Sequence, residues 1–132
     1  MNSILTIDPR LHRKYWWITV GMLWWTLIAV FSLITSPHIT MPNNTDKLYH
    51  ALSYSVLMGW WLQLFPQPRT RLLLAGIFIF FGVGIEFLQS FHPLRHFDVW
   101  DMLANSTGIL VAWLLGKTSL DQILYRFEKR FL

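Results

Sequence analysis

Long stretches with almost no charge run through this sequence and limit what the chain can fold into. No charged residue lies between Tyr15 and Thr45, and three further apolar stretches follow. An α-helix needs about 20 apolar residues to cross a hydrocarbon core of about 30 Å. We therefore predict an all-α, polytopic membrane protein in one domain with four transmembrane helices, Trp16–Ile34, Leu48–Phe65, Leu72–Phe91 and Phe97–Gly116.

The composition excludes several other classes of protein. Hydrophobic residues make up 54% of the chain and charged residues 14%, whereas about 25% charged residues is usual in soluble domains. A chain of 132 residues is too small to wrap four apolar helices away from water. There is no cysteine, so a disulfide scaffold is excluded together with a soluble enzyme and a disordered chain.

The basic residues predict how the helices are oriented. Only Lys47 and Arg95 fall in the loops on one side, and the positive-inside rule assigns the other side to the cytoplasm. Both termini are therefore expected in the cytoplasm, and the net charge of +4 needs no nucleic-acid partner to explain it. The cytoplasmic basic residues are Arg10, Arg13, Lys14, Arg69, Arg71, Lys117, Arg126, Lys129 and Arg130.

The last residues form an amphipathic pattern. Ser119–Leu132 is expected to be a C-terminal interfacial amphipathic helix, with its cations against anionic headgroups. We predict that this helix anchors the chain at the membrane surface, and its pattern implies no catalytic role. The apolar face consists of Leu120, Ile123, Leu124, Phe127 and Phe131.

Polar residues gather at the outward ends of three predicted spans. They recur at spacings of three and four, which place side chains on one face of a helix. Counted from the outer ends, all three groups lie at a similar depth, where ionisable groups usually face a bundle interior. The three groups are Asp46 with His50, Glu86 with Gln89, and Asp98 with Asp101 and Asn105, and Arg95 lies on the loop above them.

Small residues continue the polar face of the fourth span. Gly108, Ala112 and Gly116 are four residues apart, a spacing that lets helices approach closely. We therefore expect the fourth helix to be central in the bundle. Gly76, Gly82 and Gly84 suit the third helix to close packing or to a bend.

The polar residues resemble a known pattern. The segment from Asp46 to His50, followed by Tyr54 and Gly59, is similar to the D-K-x-x-H opening of the VanZ-like family of bacterial membrane proteins. The rest of that pattern, E-x-x-Q and R-x-x-D-x-x-D-x-x-x-N-x-x-G, is matched in order by Glu86, Gln89, Arg95, Asp98, Asp101, Asn105 and Gly108. The resemblance covers about residues 46–116. It implies a small cell-envelope protein of the bacterial plasma (inner) membrane, connected with teicoplanin and hence glycopeptide susceptibility or with a lipid-linked cell-wall component.

Three classes of function remain open. In the first, the protein binds or remodels the headgroup of an envelope lipid or cell-wall precursor through Asp46, Lys47, Tyr54, Gln89, Arg95 and Asn105. In the second, an intramembrane hydrolase or transferase acts on a lipid-linked substrate, and its catalytic residues are His50, Glu86, Asp98 and Asp101. The third, an ion or proton pathway, ranks last because the inner halves of the spans are apolar.

Two questions on the polar residues stay open at this stage. Arg95 either contacts a ligand or neutralises Glu86 or Asp98 in an ion network that only fixes helix register. No resident cofactor is expected, and the metal status is unknown. One histidine with several carboxylates suits a divalent metal, but no H-E-x-x-H or C-x-x-C spacing supports a metal site.

Overall fold

The computed structural model describes residues 3–34 and 45–132, and in these residues every regular element is helical. Part of the first outward loop, around Pro37 to Asn44, lies outside the described residues. The elements are α1 (Lys14–Ile34), α2 (Thr45–Leu64), α3 (Pro68–Gln89), α4 (Val99–Leu115), a 3₁₀ turn (Ser119–Gln122) and α5 (Ile123–Phe131).

Local sequence explains where the central helices begin. Pro68 occupies the first turn of α3, where the missing N–H of proline leaves no hydrogen bond unmade. Asp98 caps α4, because its Oδ1 accepts a hydrogen bond from the backbone N–H of Trp100 at 2.8 Å. The start of α4 thus lies beside its polar residues, whereas α3 begins at the opposite end from Glu86 and Gln89.

The closest helix pair is α2 with α4, and Gly108 makes it possible. A Cβ at Gly108 would lie 2.9 Å from the carbonyl carbon of Ala51 and nearer still to its oxygen. The predicted tight packing of α4 is therefore confirmed at Gly108. The central helix, however, is α2, because it packs against α1, α3, α4, the 3₁₀ turn and α5. The expectation that α4 is central was wrong, since the small face of α4 serves one neighbour.

The described helices only partly support four membrane spans. Two of them, α1 and α3, are long and apolar enough to cross a membrane, and α4 joins the tail segment only as a pair bent by 82°. The polar residues of α2 lower its hydropathy, and α4 has 17 residues. The structure thus has two to three candidate membrane spans by length and composition.

The outer surface of the bundle is apolar along all four long helices, including α2 and α4. Large hydrophobic side chains are exposed along all four long helices, and they include Trp16 on α1, Leu52 on α2, Phe80 on α3 and Leu110 on α4. Fully buried apolar side chains, among them Leu57, Met58, Phe78 and Ile109, form a dense layer in the interior. Exposed apolar area of this extent is typical of a lipid-facing surface.

The tail is helical as predicted, but it is more than an anchor on a lipid surface. Leu124 and Glu128 are buried against the rest of the protein, and the amide of Gln63 bonds to the backbone of Leu120 and Leu124. The expectation of a purely interfacial helix is corrected in this respect, because one turn of α5 faces protein. Its other apolar side chains, such as Phe127 and Phe131, remain exposed.

Glu128 also closes the first helix. Its carboxylate accepts hydrogen bonds from the backbone N–H groups of His12 at 2.8 Å and Arg13 at 2.9 Å, and from Trp17 Nε1 at 2.5 Å. A carboxylate at a helix N-terminus satisfies orphan donors and complements the helix dipole. Burial alone raises the pKa of Glu128, but these hydrogen bonds outweigh burial and hold that pKa below its ordinary value.

At the same end of the bundle, the Arg71 side chain connects several elements. Its guanidinium donates to the carbonyl oxygens of Leu62, Phe65 and Gly116 at 3.1, 2.8 and 2.7 Å, and to Asp121 at 2.8 Å. The N-terminal segment joins this end through a hydrogen bond from the Asp8 N–H to the carbonyl of Leu64. Most basic residues lie here, and we call this region the basic end.

Candidate functional site

A cavity of about 730 Å³ lies at the other end of the bundle, among the four long helices. We call it the polar cavity. Apolar residues of α1, including Leu27, Ile28 and Phe31, form one wall. The predicted site residues on its surface are Asp46, His50, Tyr54, Glu86, Gln89, Arg95, Asp98 and Asp101. Lys47 and Asn105 do not line the cavity, but both contact residues that do.

Lys47 is the cation that joins α2 to the start of α4. Its Nζ lies 2.6 Å from Asp98 Oδ2 and 3.1 Å from Asp46 Oδ2, and it also bonds to Asp101. Charge-assisted bonds of this kind are the stronger hydrogen bonds in proteins. Lys47 thus pairs with three carboxylates of its own chain, and its contact with a ligand stays a prediction.

Arg95 has a different partner from the one that the sequence suggested. Its Nη1 donates to the carbonyl of Ser32 at 3.1 Å, and the Gln89 side chain donates to the same oxygen at 2.6 Å. Of the ion pairs within the described residues, none joins Arg95 to Glu86 or Asp98. A positive group at the C-terminal end of α1 complements the helix dipole. Arg95 and Gln89 therefore hold α1 against α3.

His50 faces α4 through both ring nitrogens. Nδ1 lies 3.0 Å from Asn105 Oδ1, and Nε2 lies 3.6 Å from Asp101 Oδ2. An amide oxygen only accepts hydrogen bonds, so a neutral ring carries its proton on Nδ1 and keeps a lone pair on Nε2. The distance to Asp101 is that of a charge contact and too long for a hydrogen bond.

Glu86 is the most buried carboxyl group of the cavity. It is 2% exposed, and its Oε1 accepts a hydrogen bond from the backbone N–H of Asp98 at 2.8 Å. The contact fastens the loop before α4 to α3. No ion pair joins Glu86 to a cation in the described part of the chain. A buried carboxyl group without such a partner is costly to keep charged.

Two buried hydrogen-bonding groups on the cavity surface lack partners. The Tyr54 hydroxyl and the Trp24 Nε1 have no hydrogen-bond partner within the described residues, and Tyr54 is 2% exposed. Close contact with Gly82 holds the Tyr54 ring, because a Cβ there would lie 3.2 Å from Tyr54 Cε1. An unsatisfied buried donor costs about 1–3 kcal/mol, so both groups favour a hydrogen-bonding ligand.

The donor set gives little support to a bound metal ion. Within residues 3–34 and 45–132, no group of three or more histidine, aspartate or glutamate side chains is placed to hold one. The ammonium group of Lys47 already lies where Asp46, Asp98 and Asp101 converge. The sequence left open whether a metal binds, and we propose no metal ligands.

Two contributors to the site were not foreseen from the sequence. Trp24 lies in an apolar stretch that has no polar pattern, and Ser32 contributes only its backbone carbonyl, which no side-chain pattern reveals. Both lie on α1, which carries no charged residue between Tyr15 and Ile34. The sequence of α1 gives no sign that it forms a wall of the polar cavity; only its packing in the structure shows this.

The helices with apolar outer faces and a polar cavity between them define a small helical membrane protein built around a polar site. The family model of VanZ/LLP1 matches residues 9–120, and the chain belongs to the VanZ/LLP1 family. The match confirms the resemblance seen in the polar residues and extends it to α1 and the basic end.

A relative from a yeast also matches. The chain is 35% identical over 84 residues to the uncharacterized protein C11E3.10 of Schizosaccharomyces pombe, an overlap of 61% of this chain and 51% of the relative. The chain thus spans about half the length of the curated relative that it matches. No solved structure matches the chain.

Proposed function

We propose that the protein crosses the plasma membrane four times, with both termini in the cytoplasm and the polar cavity towards the outer face. The polar side chains of α2, such as His50 and Tyr54, face the bundle, whereas Leu48, Leu52 and Val56 are exposed on its surface. A helix with this division suits a span that packs inside a bundle and touches lipid on one side. The concentration of basic residues at the opposite end supports a cytoplasmic basic end.

We propose further that the polar cavity binds the headgroup of a membrane lipid. The observation that carries this proposal is the buried hydroxyl of Tyr54, which has no hydrogen-bond partner within the described residues and belongs to a side chain lining a cavity of about 730 Å³. Ligand sites in proteins have volumes of about 300–1,000 Å³ and combine apolar walls with a few polar groups. A headgroup oxygen would satisfy the Tyr54 hydroxyl, while the acyl chains stay among the exposed apolar side chains.

The relative from a yeast indicates which lipid headgroups are the best candidates. A relative in a yeast favours a chemistry that bacterial and yeast membranes share, and phospholipids meet this condition. A wall precursor on a lipid carrier is a narrower version of the same ligand class. An effect on teicoplanin susceptibility would follow if the bound lipid takes part in assembly of a bacterial wall.

Removal of one hydroxyl group tests headgroup binding. Tyr54→Phe keeps the ring that packs on Gly82, and Tyr49→Phe on the same cavity surface is the matched control because Tyr49 is exposed. Lipid occupancy is measured by native mass spectrometry in detergent containing phosphatidylethanolamine, phosphatidylglycerol or diacylglycerol with the same acyl chains.

We expect the parent protein to bind a phospholipid more tightly than diacylglycerol, which lacks a charged headgroup. Tyr54→Phe should weaken that binding about three- to tenfold, the range of one neutral hydrogen bond, and Tyr49→Phe should not. Equal binding of diacylglycerol and both phospholipids by the parent would refute headgroup binding. An unchanged affinity of Tyr54→Phe would show that the hydroxyl takes no part.

One contact supports a second function, hydrolysis or group transfer on the bound lipid. With its proton on Nδ1 towards Asn105, His50 presents a lone pair on Nε2 at the polar cavity, as a general base does. Ser53 lies on the same cavity surface, three residues after His50 in the sequence. If the protein cleaves the lipid, the parent will release a lyso or headgroup product that His50→Gln does not. An ion pathway is not proposed, because the dense apolar layer lies below the cavity.

A further inference from the structure

The polar cavity is lined by more acidic than basic side chains. Four carboxyl groups line it, those of Asp46, Glu86, Asp98 and Asp101. Lys47, behind the cavity surface, is shared by three of these carboxyl groups. The only fixed cation on the described surface of the cavity itself is Arg95, since histidines carry charge only when protonated. In a site of low dielectric, such an excess is stabilised by a ligand that brings positive charge.

The hydroxyl of Tyr54, which has no partner among residues 3–34 and 45–132, is an independent sign that a ligand enters among these carboxyl groups. Tyr54 is 98% buried, because only 2% of it is exposed, and the oxygen of its hydroxyl accepts as well as donates hydrogen bonds. A ligand nitrogen with several N–H groups would meet that oxygen and a neighbouring carboxylate together. Glu86, equally buried and without an ion-pair partner in the described residues, is the carboxylate best suited to it.

The walls and the spread of the carboxyl groups favour an organic cation over a metal ion. Aromatic rings of Trp24, Phe31, Tyr49 and Tyr54 line the same cavity, and aromatic faces attract ammonium groups. In the described chain, no group of three or more metal-ligating side chains is placed to hold a metal ion. An ammonium group accepts contacts from acids and rings that are distributed around it.

We propose that the headgroup bound in the polar cavity carries a primary ammonium group, as in an aminophospholipid of the phosphatidylethanolamine type. This inference rests on the proposed function and specifies its ligand class. The ammonium group lies towards Glu86 and the Tyr54 hydroxyl, and the phosphate lies on the side of the cavity where Arg95 supplies positive charge. The acyl chains extend along the apolar outer surface of the helices.

The test compares lipids that differ in one group. Native mass spectrometry of the full chain in detergent measures competition between phosphatidylethanolamine, phosphatidylglycerol and diacylglycerol with identical acyl chains. We expect phosphatidylethanolamine to be preferred over phosphatidylglycerol by about tenfold, the effect of one charged hydrogen bond. In Glu86→Gln, which keeps an acceptor for the N–H of Asp98, the preference should fall to below about threefold.

A matched control and a second variant keep the test decisive. Asp121→Asn removes a carboxylate at the basic end and should leave the lipid preference unchanged. If thermal unfolding shows that Glu86→Gln does not fold, Asp46→Asn tests the same charge at a side chain that is 44% exposed, and it should also lower the preference.

The outcomes separate this inference from the proposal that it rests on. Phosphatidylglycerol bound as tightly as phosphatidylethanolamine, with diacylglycerol weaker than both, would overturn the ammonium inference and leave headgroup binding standing. Diacylglycerol equal to both would overturn headgroup binding itself. Soluble glycerophosphoethanolamine in about 100-fold excess should displace little of the lipid, and displacement at equimolar concentration would overturn the assignment to a membrane lipid.

Discussion

Gly108 offers the sharpest test of the packing that holds the polar cavity together. In Gly108→Ala the new methyl group would lie 2.9 Å from the carbonyl carbon of Ala51, where ordinary carbon contacts begin at about 3.5 Å. Both colliding groups belong to helix backbones, so no rotamer change relieves the contact. We expect α2 and α4 to separate by about 1 Å.

The expected cost follows from two opposing contributions. Overpacking of a well-packed interior costs about 1–3 kcal/mol, and contact with backbone belongs at the upper end of that range. The higher helix propensity of alanine returns about 1 kcal/mol. The net loss of about 2 kcal/mol corresponds to a fall in melting temperature of about 5–10 °C for a chain of this size.

Thermal unfolding in detergent, followed by tryptophan fluorescence, measures this shift. Gly76→Ala and Gly84→Ala are matched controls, because a Cβ at either position meets nothing within 4 Å. Both should unfold at the parent temperature or slightly above it. A melting temperature of Gly108→Ala within 2 °C of the parent would refute the packing argument, and so would an equal fall in all three variants. Lipid binding should weaken only in Gly108→Ala, since Asp101 and Asn105 lie on the same helix face.

Three further outcomes are expected at the two ends of the molecule. Glu128→Gln replaces a carboxylate that accepts three hydrogen bonds by an amide whose NH₂ faces a donor, and it should lower the melting temperature by about 5–10 °C, an effect of about 2 kcal/mol. Burial raises the pKa of Asp8, but hydrogen bonds from Arg10 outweigh it and hold that pKa, like that of Glu128, below its ordinary value. The stability that both groups contribute is therefore complete above about pH 5 and lost as the pH falls below about 4, and melting curves at pH 7, 5 and 3 measure it; equal curves would contradict the shifts. A cysteine in place of exposed His92 should react with an impermeant thiol reagent in intact cells, whereas one in place of exposed Lys117 should not, and the reverse pattern would invert the topology.

The composition of the polar cavity could be predicted because helix periodicity is a local property. Spacings of three and four assigned Asp46 and His50 to one face of α2, and Asp98, Asp101 and Asn105 to one face of α4. Family resemblance pointed to the same residues. The structure brings these groups together, while their roles in binding or catalysis remain predictions.

The pairing within that cavity could not be predicted, because it depends on distances between elements. Lys47 and Arg95 are both long cations near carboxylates in sequence, and only the packing of α2 on α4 assigns Asp98 to Lys47. The number of membrane-spanning helices could not be read from hydropathy for a similar reason. The polar residues of α2 face inward, so its mean hydropathy understates the apolar surface that it presents outside.

Glu128 has a consequence for the order in which the protein is made. The residue that completes the N-terminus of α1 follows Trp17 by 111 positions, and at about 5–20 residues per second the ribosome needs roughly 5–25 s to reach it. Throughout that interval the N–H groups of His12 and Arg13, just before α1, lack their carboxylate partner. The N-terminus of α1 is therefore completed only after α5 has been synthesised.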